Sequence, residues 1–388
     1  MAFPFTPEQQ SVRDAIATLC ARFDDDYWLV KDRDGGWPTD FHKAVADAGW
    51  LGIAMPKEYG GRGLGFTEGA IMLRTLGESG GGMGAVSTVH TSIGGMNPVA
   101  AFGSDEQKKR MLPPLINGEE RTCFAVTEPE TGFDILNMKT RAVRKDGHYL
   151  VSGEKTWISS AQVATRMLIL TRTTPVEEVA KPTDGFSLFY TALDRKYIDV
   201  REIDKMGRKA VDSNLLIIKD LPIPREDMIG EEGKGFRCIL HGINAERILV
   251  AAGAVGIGKA ALARATEYAK KRVVFGRPIG QNQGIQHPLA ESWMELEAAD
   301  LMVFNAAALY DRGKPCGAEA NAAKYLAAEA AFKSCVTAVS TFGGHGYAKA
   351  NHVERYLREI MGPKVAPVSP QLVKSFIAEK VLGLPKSY

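Results

Sequence analysis

The first third of the chain repeats apolar residues with the period of an α-helix. Thr6 and Pro7 are suited to the N-cap and the first turn of a helix, and further helical runs follow at residues 67–76 and 105–112. The apolar stripe of the first helix consists of Val12, Ala15, Ile16, Leu19 and Phe23. This spacing predicts an N-terminal helical domain over residues 1–120.

Residues 121–230 have a different pattern. Two β-rich runs, 141–145 and 148–151, flank Asp146 and Gly147, a dipeptide that favours a tight hairpin turn. Turn residues separate four further β-rich runs, at 167–171, 186–191, 197–203 and 215–218. The pattern predicts a compact all-β domain.

From residue 231 onward the helical period returns. Residues 318–340 are rich in alanine, as in a buried helix of a bundle. Another stripe at helical spacing consists of Ile248, Ala252, Val255, Leu262, Ala265 and Ala269. We therefore predict a multidomain α+β fold in three parts: helices over 1–120, a β-domain over 121–230 and a helical bundle over 231–388.

Charge and cysteine usage narrow the classes of function. The chain has 48 basic and 46 acidic residues and a net charge of +2. It shows no basic stripe, so we expect no nucleic-acid partner. Its five cysteines are widely separated, and its seven histidines include no ligand-spaced pair. We therefore expect free thiols in a reducing compartment and no metal site.

The N-terminus and the apolar runs bear on location. Residues 1–8 lack the basic and apolar regions of a secretory signal. The longest apolar run, residues 248–258, is about half the length that a bilayer span needs. These features predict a soluble, cytoplasmic protein without a membrane span.

Two segments of the β-domain carry groups suited to a flat ligand. In residues 123–134 a strand ends at Thr127 and is followed by Gly132, which brings a hydroxyl and backbone amides to one edge. An ordinary β-turn is the alternative there. In residues 155–160, Trp157 can cover a ring while Ser159 bonds its edge, although a tryptophan capping the β-core has the same sequence.

Two segments of the helical bundle carry further candidates. Residues 268–283 end a helix with a basic cluster around Arg272 and continue with Phe275, groups that suit a pyrophosphate and an adenine. An ordinary basic helix end is the alternative. Gly343 and Gly344 let a ligand approach bare backbone, and a helix C-cap explains the same glycines.

In this order and spacing, the four segments resemble those of the acyl-CoA dehydrogenases. Residues 50–61 and 223–236 add to the resemblance, which covers roughly residues 5–360. It implies an N-terminal helical domain, a central β-barrel and a C-terminal four-helix bundle. It also implies FAD as cofactor, bound where the three parts meet, and a homotetramer.

The resemblance assigns roles to individual positions. It places Trp157 over the flavin ring and the hydroxyl of Ser159 near flavin N5. The residues that it places along the ring and its ribityl chain are Phe124, Val126 and Thr127. The residues that it assigns to the pyrophosphate and adenine of a neighbouring subunit's FAD are Arg272, Phe275, Gln283, Gly343 and Gly344.

Desaturation beside a thioester needs a base for the α-proton and, on the opposite face, flavin N5 as hydride acceptor. Most family members carry this base near the C-terminus, but an ungapped count from the glycine pair places Pro367 there. The isovaleryl-type and long-chain branch carries it on a bundle helix before an arginine. Resemblance to that branch makes Glu246 the predicted base, with Asn244 and Arg247 lining the acyl-CoA site. An exposed acid at a helix start, favoured by the macrodipole, is the alternative.

Pro367 also lacks the backbone N–H that helps to polarise the thioester carbonyl in the family. Either Ala366 or Val368 supplies that donor through a shifted loop, or the carbonyl relies on the flavin ribityl hydroxyl. Loss of one such donor typically raises the barrier by about 2.7–4 kcal/mol. An active enzyme therefore needs a replacement.

The predicted activity is conversion of an acyl-CoA to the 2-enoyl-CoA, with electrons passed to an electron-transfer flavoprotein. Flavin monooxygenases and other oxidases share the scaffold and are the alternative, although they have no need of Glu246. A protein that has kept the fold and lost the cofactor is a second alternative. The residues that argue against it are Thr127, Trp157, Ser159 and Arg272.

Overall fold

The structure, a computed structural model, describes residues 4–387. Its N-terminal part consists of helices α1 (Pro7–Cys20), α2 (Asp25–Asp34), α3 (Thr39–Asp47), α4 (Phe66–Leu76), α5 (Gly82–His90), α6 (Asn97–Phe102) and α7 (Asp105–Ile116). Helix α1 begins as predicted, because Thr6 and Gln9 form a reciprocal capping box and Pro7 occupies the first turn. A second capping box, between Ser104 and Gln107, begins α7.

Two π-helical turns flank α5, at Gly77–Gly81 and Thr91–Gly95. The first lies against the longest helix of the protein's C-terminal part. A Cβ on Gly77 would lie 2.6 Å from the carbonyl oxygen of Gly253, and one on Gly256 would lie 2.1 Å from that of Arg74. These glycines therefore allow two helix backbones to touch.

The central part is a sheet of strands β1 (Thr122–Ala125), β2 (Arg141–Lys145), β3 (His148–Ser159), β4 (Arg166–Arg172), β5 (Phe186–Ala192), β6 (Ile198–Glu202), β7 (Ser213–Pro224) and β8 (Met228–Ile229). The strand order is β6-β7-β3-β2-β4-β5-β8, and β1 pairs with β4 in parallel. Strands β2 and β3 form the predicted hairpin, with Lys145 opposite His148. The sheet brings the ends of β1, β3 and β7 to one region, which carries the candidate ring-binding residues.

The C-terminal part contains helices α8 (Gly235–Lys271), α9 (Gln283–Asp311), α10 (Gly317–Phe342), α11 (Val353–Val365) and α12 (Pro370–Phe376). A short hairpin of strands β9 (Val273–Val274) and β10 (Arg277–Pro278) joins α8 to α9. Helix α8 packs against α9, α10 and α4. One continuous apolar core therefore joins the two helical parts.

Helix α8 is long and apolar enough to cross a membrane by length and composition alone. However, 83% of its most apolar window is buried inside the fold. That burial is typical of the core helix of a globular protein. The predicted fold class, with a β-domain between two helical parts, is confirmed.

Candidate active site

Glu246 lies about three turns inside α8, so the alternative of an acid at a helix start is wrong. Its side chain is 32% exposed, and its Oε2 lies 3.2 Å from Nε2 of His90 at the end of α5. The π-turn after α5 makes room for this carboxylate, because a Cβ on Gly94 would lie 3.1 Å from Oε2. The tertiary structure thus places the carboxylate of α8 against the N-terminal helical part.

His90 forms an ion pair with Glu246 rather than a well-aligned hydrogen bond. Burial by itself would lower the pKa of His90, and so would the nearby Arg208. The facing carboxylate of Glu246 outweighs both and raises the pKa of His90 above its ordinary value. The imidazole therefore favours its charged form beside Glu246.

Arg247 and Asn244 lie beside Glu246 on the same helix. Nη1 of Arg247 donates to Oδ1 of Asn244 at 3.0 Å, and burial lowers the pKa of Arg247. The Nε of Arg247 is buried and has no hydrogen-bond partner within residues 4–387. An unpaired buried donor is costly, so this N–H is suited to a ligand acceptor.

The segment around Pro367 is held by a buried lysine of α10. Nζ of Lys324 donates to the carbonyl oxygens of Val368 at 2.6 Å and Lys364 at 3.3 Å. Burial, opposed by Glu329 and assisted by the charge of Arg247, lowers the pKa of Lys324 to about 8. One side chain of α10 thus holds carbonyl oxygens on both sides of Pro367.

The structure leaves only one of the two backbone N–H groups beside Pro367 as a possible donor to the thioester carbonyl. The backbone N–H of Ala366 donates to the carbonyl oxygen of Gly362 at 3.0 Å and so closes the last turn of α11. It is therefore not available to a substrate carbonyl in this conformation. The backbone N–H of Val368 therefore remains as the candidate donor to the substrate carbonyl.

The ring-binding candidates lie at the ends of β1 and β3. Trp157 is 59% exposed and has a backbone φ of +61°, an uncommon conformation for a non-glycine residue. Phe124 is also exposed, whereas the side chain of Val126 is buried in the core. The carbonyl oxygen of Thr127 accepts a hydrogen bond from the N–H of Thr156 at 2.9 Å. Two exposed aromatic side chains therefore lie at the ends of β1 and β3.

A buried ion pair connects β3 to the segment that follows β1. Nζ of Lys155 donates to Oε1 of Glu128 and to the carbonyl oxygen of Val126, both at 3.0 Å. Glu128 also accepts the N–H groups of Lys139 at 2.7 Å and Thr140 at 2.9 Å. Burial lowers the pKa of Lys155 to about 8, although the carboxylate opposes that shift. Neither charged residue was among the predicted site residues.

Arg208 connects Ser159 to the N-terminal helices. Its Nη2 donates to Oγ of Ser159 at 3.0 Å, and its Nη1 donates to Oγ of Ser87 at 3.3 Å. Ser87 and His90 are three residues apart on α5 and therefore share a face. The two clusters, around Ser159 and around Glu246, meet at that face of α5.

The candidates for the pyrophosphate and adenine lie at the ends of α8 and α10, which are in contact through the stacked rings of Tyr268 and Phe342. Phe275 is fully exposed in the short β9–β10 hairpin, with φ +52°. Arg272 is the exposed C-cap of α8, and Gln283 is the first residue of α9. Gly343 is the C-cap of α10, and a Cβ on either Gly343 or Gly344 would meet nothing within 4 Å. The C-cap alternative for Gly343 is therefore correct, and the backbone there is also open to a ligand.

The donor set fits FAD. Exposed aromatic faces at Trp157 and Phe124 suit the flavin ring, and the cation and exposed ring of Arg272 and Phe275 suit the dinucleotide end. Ser159 accepts from Arg208, which leaves its own O–H free to donate to a ring edge. Across residues 4–387, no cluster of three or more histidine, cysteine or acidic side chains is placed to hold a metal ion.

Comparison with known families gives the same assignment along the chain. The models for the N-terminal, middle and C-terminal domains of acyl-CoA dehydrogenases match residues 6–119, 123–221 and 233–367, respectively. The chain is 33% identical over 396 residues to the acyl-CoA dehydrogenase FadE12 of Mycobacterium tuberculosis, and the match covers 100% of this chain and 99% of that protein.

Solved structures agree with the family match. The butyryl-CoA dehydrogenase of Megasphaera elsdenii superposes with a TM-score of 0.91 at 29% identity, covering 98% of this chain and 100% of that one. The FAD complex of PigA superposes with a TM-score of 0.92 at 26% identity, covering 98% of this chain and 99% of that one. The chain therefore belongs to the acyl-CoA dehydrogenase family, and it is an FAD-dependent oxidoreductase that acts on the CH–CH group of acyl-CoA thioesters.

Proposed function

We propose that this enzyme desaturates its acyl-CoA between the α and β carbons and that Glu246 is the base that removes the α-proton. The observation that supports this role is the carboxylate of α8, partly exposed and held against His90. Next to it lies Arg247, whose buried Nε lacks a protein partner. An acid–base group and an unused donor therefore occupy consecutive positions of α8.

Bound FAD supplies the acceptor for the hydride that leaves the β carbon. On the protein side, His90 holds Oε2 of Glu246, so Oε1 is the oxygen available for the α-proton. The new O–H bond forms as the Cα–H bond breaks, and Glu246 becomes neutral. We propose that Asn244 and Arg247 bind the thioester substrate and that the N–H of Val368 takes the role that Pro367 cannot perform.

We propose that FAD is held by the residues that the resemblance indicates. Trp157, Phe124 and Thr127 would contact the ring region, and the hydroxyl of Ser159 would donate to its edge. At the dinucleotide end the residues would be Arg272, Phe275, Gln283, Gly343 and Gly344. The exposure of Phe275 in the isolated chain supports a site completed by a neighbouring subunit.

The reaction is tested by mixing the yellow holoenzyme with a panel of acyl-CoAs without oxygen. We expect flavin bleaching by at least one of them and a product with a 2,3-double bond, identified by mass spectrometry and absorbance. Rapid reoxidation of the bleached enzyme by oxygen, with hydrogen peroxide or a hydroxylated product, would instead support the oxidase alternative.

We also propose a homotetramer that passes electrons to an electron-transfer flavoprotein in the cytoplasm. Exposed apolar side chains on α9, Trp293 and Met294, support an intersubunit surface. All five cysteines are buried and unpaired, which suits a reducing compartment. Sedimentation velocity tests the assembly, and reduction of a purified electron-transfer flavoprotein tests the acceptor.

Replacement of Gly94 by alanine is expected to slow FAD reduction by acyl-CoA by on the order of 10-fold, without loss of bound FAD. The new Cβ would lie 3.1 Å from Oε2 of Glu246 and 3.2 Å from Cδ1 of Leu249, so the carboxylate must move. Gly69→Ala is the matched control, because its Cβ also meets Leu249, at 3.4 Å, but not Glu246. Equal rates in the two variants would contradict a carboxylate held by this turn.

The negative charge of Glu246 is expected to determine whether the pKa of His90 lies above or below its ordinary value. Because the pKa of His90 is raised, its ion pair stabilises the fold fully below pH 6.5 and is lost as the pH rises through the raised value. In Glu246→Gln, burial and Arg208 remain, and both lower the pKa of His90. NMR of ¹⁵N-histidine-labelled protein should therefore show that the pKa of His90 lies above 6.5 in the wild type and below 6.5 in the variant.

His42 is the internal control for that titration. Burial lowers the pKa of His42 to about 4, and Arg121 is the charge that adds to this effect. Glu246 does not contribute, so the signal of His42 should be the same in both proteins. An unchanged pKa of His90 in the variant would show that Glu246 does not face it in solution.

A further inference from the structure

Arg208 is a partly buried charged residue that has no role in the proposed reaction as described above. It lies between β6 and β7 with a backbone φ of +57°, in the left-handed region that non-glycine residues rarely adopt. Its guanidinium reaches inward to three different elements rather than outward to solvent. The surrounding structure therefore holds both its backbone and its side chain in place.

The partners of Arg208 that lie within hydrogen-bond distance are serine hydroxyls. Nη2 donates to Oγ of Ser213 at 2.8 Å and to Oγ of Ser159 at 3.0 Å, and Nη1 donates to Oγ of Ser87 at 3.3 Å. In the described part of the chain, no carboxylate forms an ion pair with it. Three neutral hydroxyls do not cancel a full positive charge.

The charged groups around Arg208 are of both signs. Asp212 and Glu359 attract it, whereas His90 and Lys205 repel it. Asp212 already accepts from Gln162 and Asn214, and Glu359 accepts from the N–H of Met83. Burial dominates and lowers the pKa of Arg208, but a guanidinium remains charged at neutral pH.

This arrangement has two consequences for Ser159. Its oxygen receives the N–H of Arg208, so its own hydrogen must point elsewhere, and the proposed FAD edge is the acceptor there. The positive charge also lies one hydroxyl away from that edge, in a poorly solvated region. Such a charge interacts strongly with any negative charge that develops nearby.

A negative charge develops there during the reaction. The β carbon gives up a proton and two electrons together as hydride, and the α-proton neutralises Glu246. FAD held beside Ser159 would gain one negative charge on accepting that hydride. A fixed cation beside the ring stabilises the reduced form relative to the oxidised form.

We propose that Arg208 is a positioning residue that orients the hydroxyl of Ser159 toward FAD and whose charge favours the reduced cofactor. This inference rests on the part of the proposed function that places FAD beside Ser159. It does not depend on Glu246 as the base or on the identity of the acyl group.

The test is the midpoint potential of bound FAD, measured by chemical reduction against a reference dye with no acyl-CoA present. Arg208→Met removes the charge and the hydrogen bonds, and we expect the equilibrium for reduction to fall at least tenfold. That fall corresponds to a potential lower by about 30 mV for a two-electron couple. Arg208→Lys keeps the charge and should recover most of the difference.

Arg201→Met is the matched control, because Arg201 is an exposed arginine on β6 that pairs with Asp199. Its potential should equal that of the wild type. Ser159→Ala combined with Arg208→Met should show less than the sum of the two single shifts, because Arg208 acts partly through Ser159. A wild-type potential in Arg208→Met would overturn the proposal.

Arg208→Gln keeps the test decisive if the methionine variant does not retain FAD. Glutamine can still donate to a serine hydroxyl but carries no charge. A lowered potential in this variant supports the proposal, and an unchanged potential overturns it. Because no substrate is used, this result is separate from acyl-CoA bleaching, whose failure would count against the proposed function instead.

Discussion

Glu246→Gln is expected to slow the reduction of bound FAD by acyl-CoA by about 10²–10⁴-fold, the usual contribution of a positioned base. The amide has nearly the shape of the carboxylate but cannot accept the α-proton. FAD should stay bound, because Glu246 is not among the residues proposed to hold the cofactor. Anaerobic stopped-flow absorbance of the flavin measures the rate, and the visible spectrum of the purified variant measures FAD content.

Glu267→Gln is the control for this substitution. It makes the same chemical change on the same helix, at an exposed position where Glu267 pairs with Lys270. Its rate of FAD reduction should match that of the wild type. Bleaching of Glu246→Gln at the wild-type rate would remove Glu246 as the base, although it would leave the family assignment intact.

Lys155→Met is expected to destabilise the protein by about 3–5 kcal/mol, since it leaves a buried charge without its partner. Lys155 is 0% exposed, and Glu128 is 5% exposed. The substitution removes the ammonium that contacts both Glu128 and the carbonyl oxygen of Val126, each at 3.0 Å. Urea unfolding, followed by far-UV circular dichroism and by release of FAD, measures the loss.

A second variant distinguishes the unpaired charge from lost packing. In Lys155→Met combined with Glu128→Gln, no unpaired charge remains, and the amide oxygen can still accept one of the two N–H groups, of Lys139 and Thr140, that donate to the two carboxylate oxygens. The double variant should therefore be more stable than Lys155→Met alone. Lys139→Met, which breaks only the exposed pair with Glu130, should cause little change. Wild-type stability of Lys155→Met would contradict a buried ion pair at this edge.

Loss of the Lys155–Glu128 pair should also affect FAD binding. The pair joins the end of β1 to β3, and the same strands carry Phe124, Trp157 and Ser159. Without the pair, β1 and β3 should be less firmly connected, which should weaken FAD binding as well as the stability of the fold. The comparison of FAD release with loss of secondary structure shows whether the region around the ends of β1 and β3 unfolds before the rest of the protein.

Local patterns were sufficient to predict much of the fold. The start of α1 and the hairpin at Asp146 and Gly147 follow from residues within one turn. Capping, turn conformation and periodicity are properties of neighbouring residues, so a single chain displays them directly. The order and spacing of the motifs then led to the family, which the comparisons confirm.

The sequence by itself determined the helix–sheet–helix order, the family and a list of candidate residues such as Glu246. The tertiary structure decided which side chains surround them: His90 beside Glu246, Arg208 beside Ser159, and Lys155 beside Glu128. No periodicity or motif connects His90 with Glu246, since they lie on different helices far apart in the chain. Their ion pair arises only when α5 packs against α8, and the carboxylate that raises the pKa of His90 comes to face it in the same step.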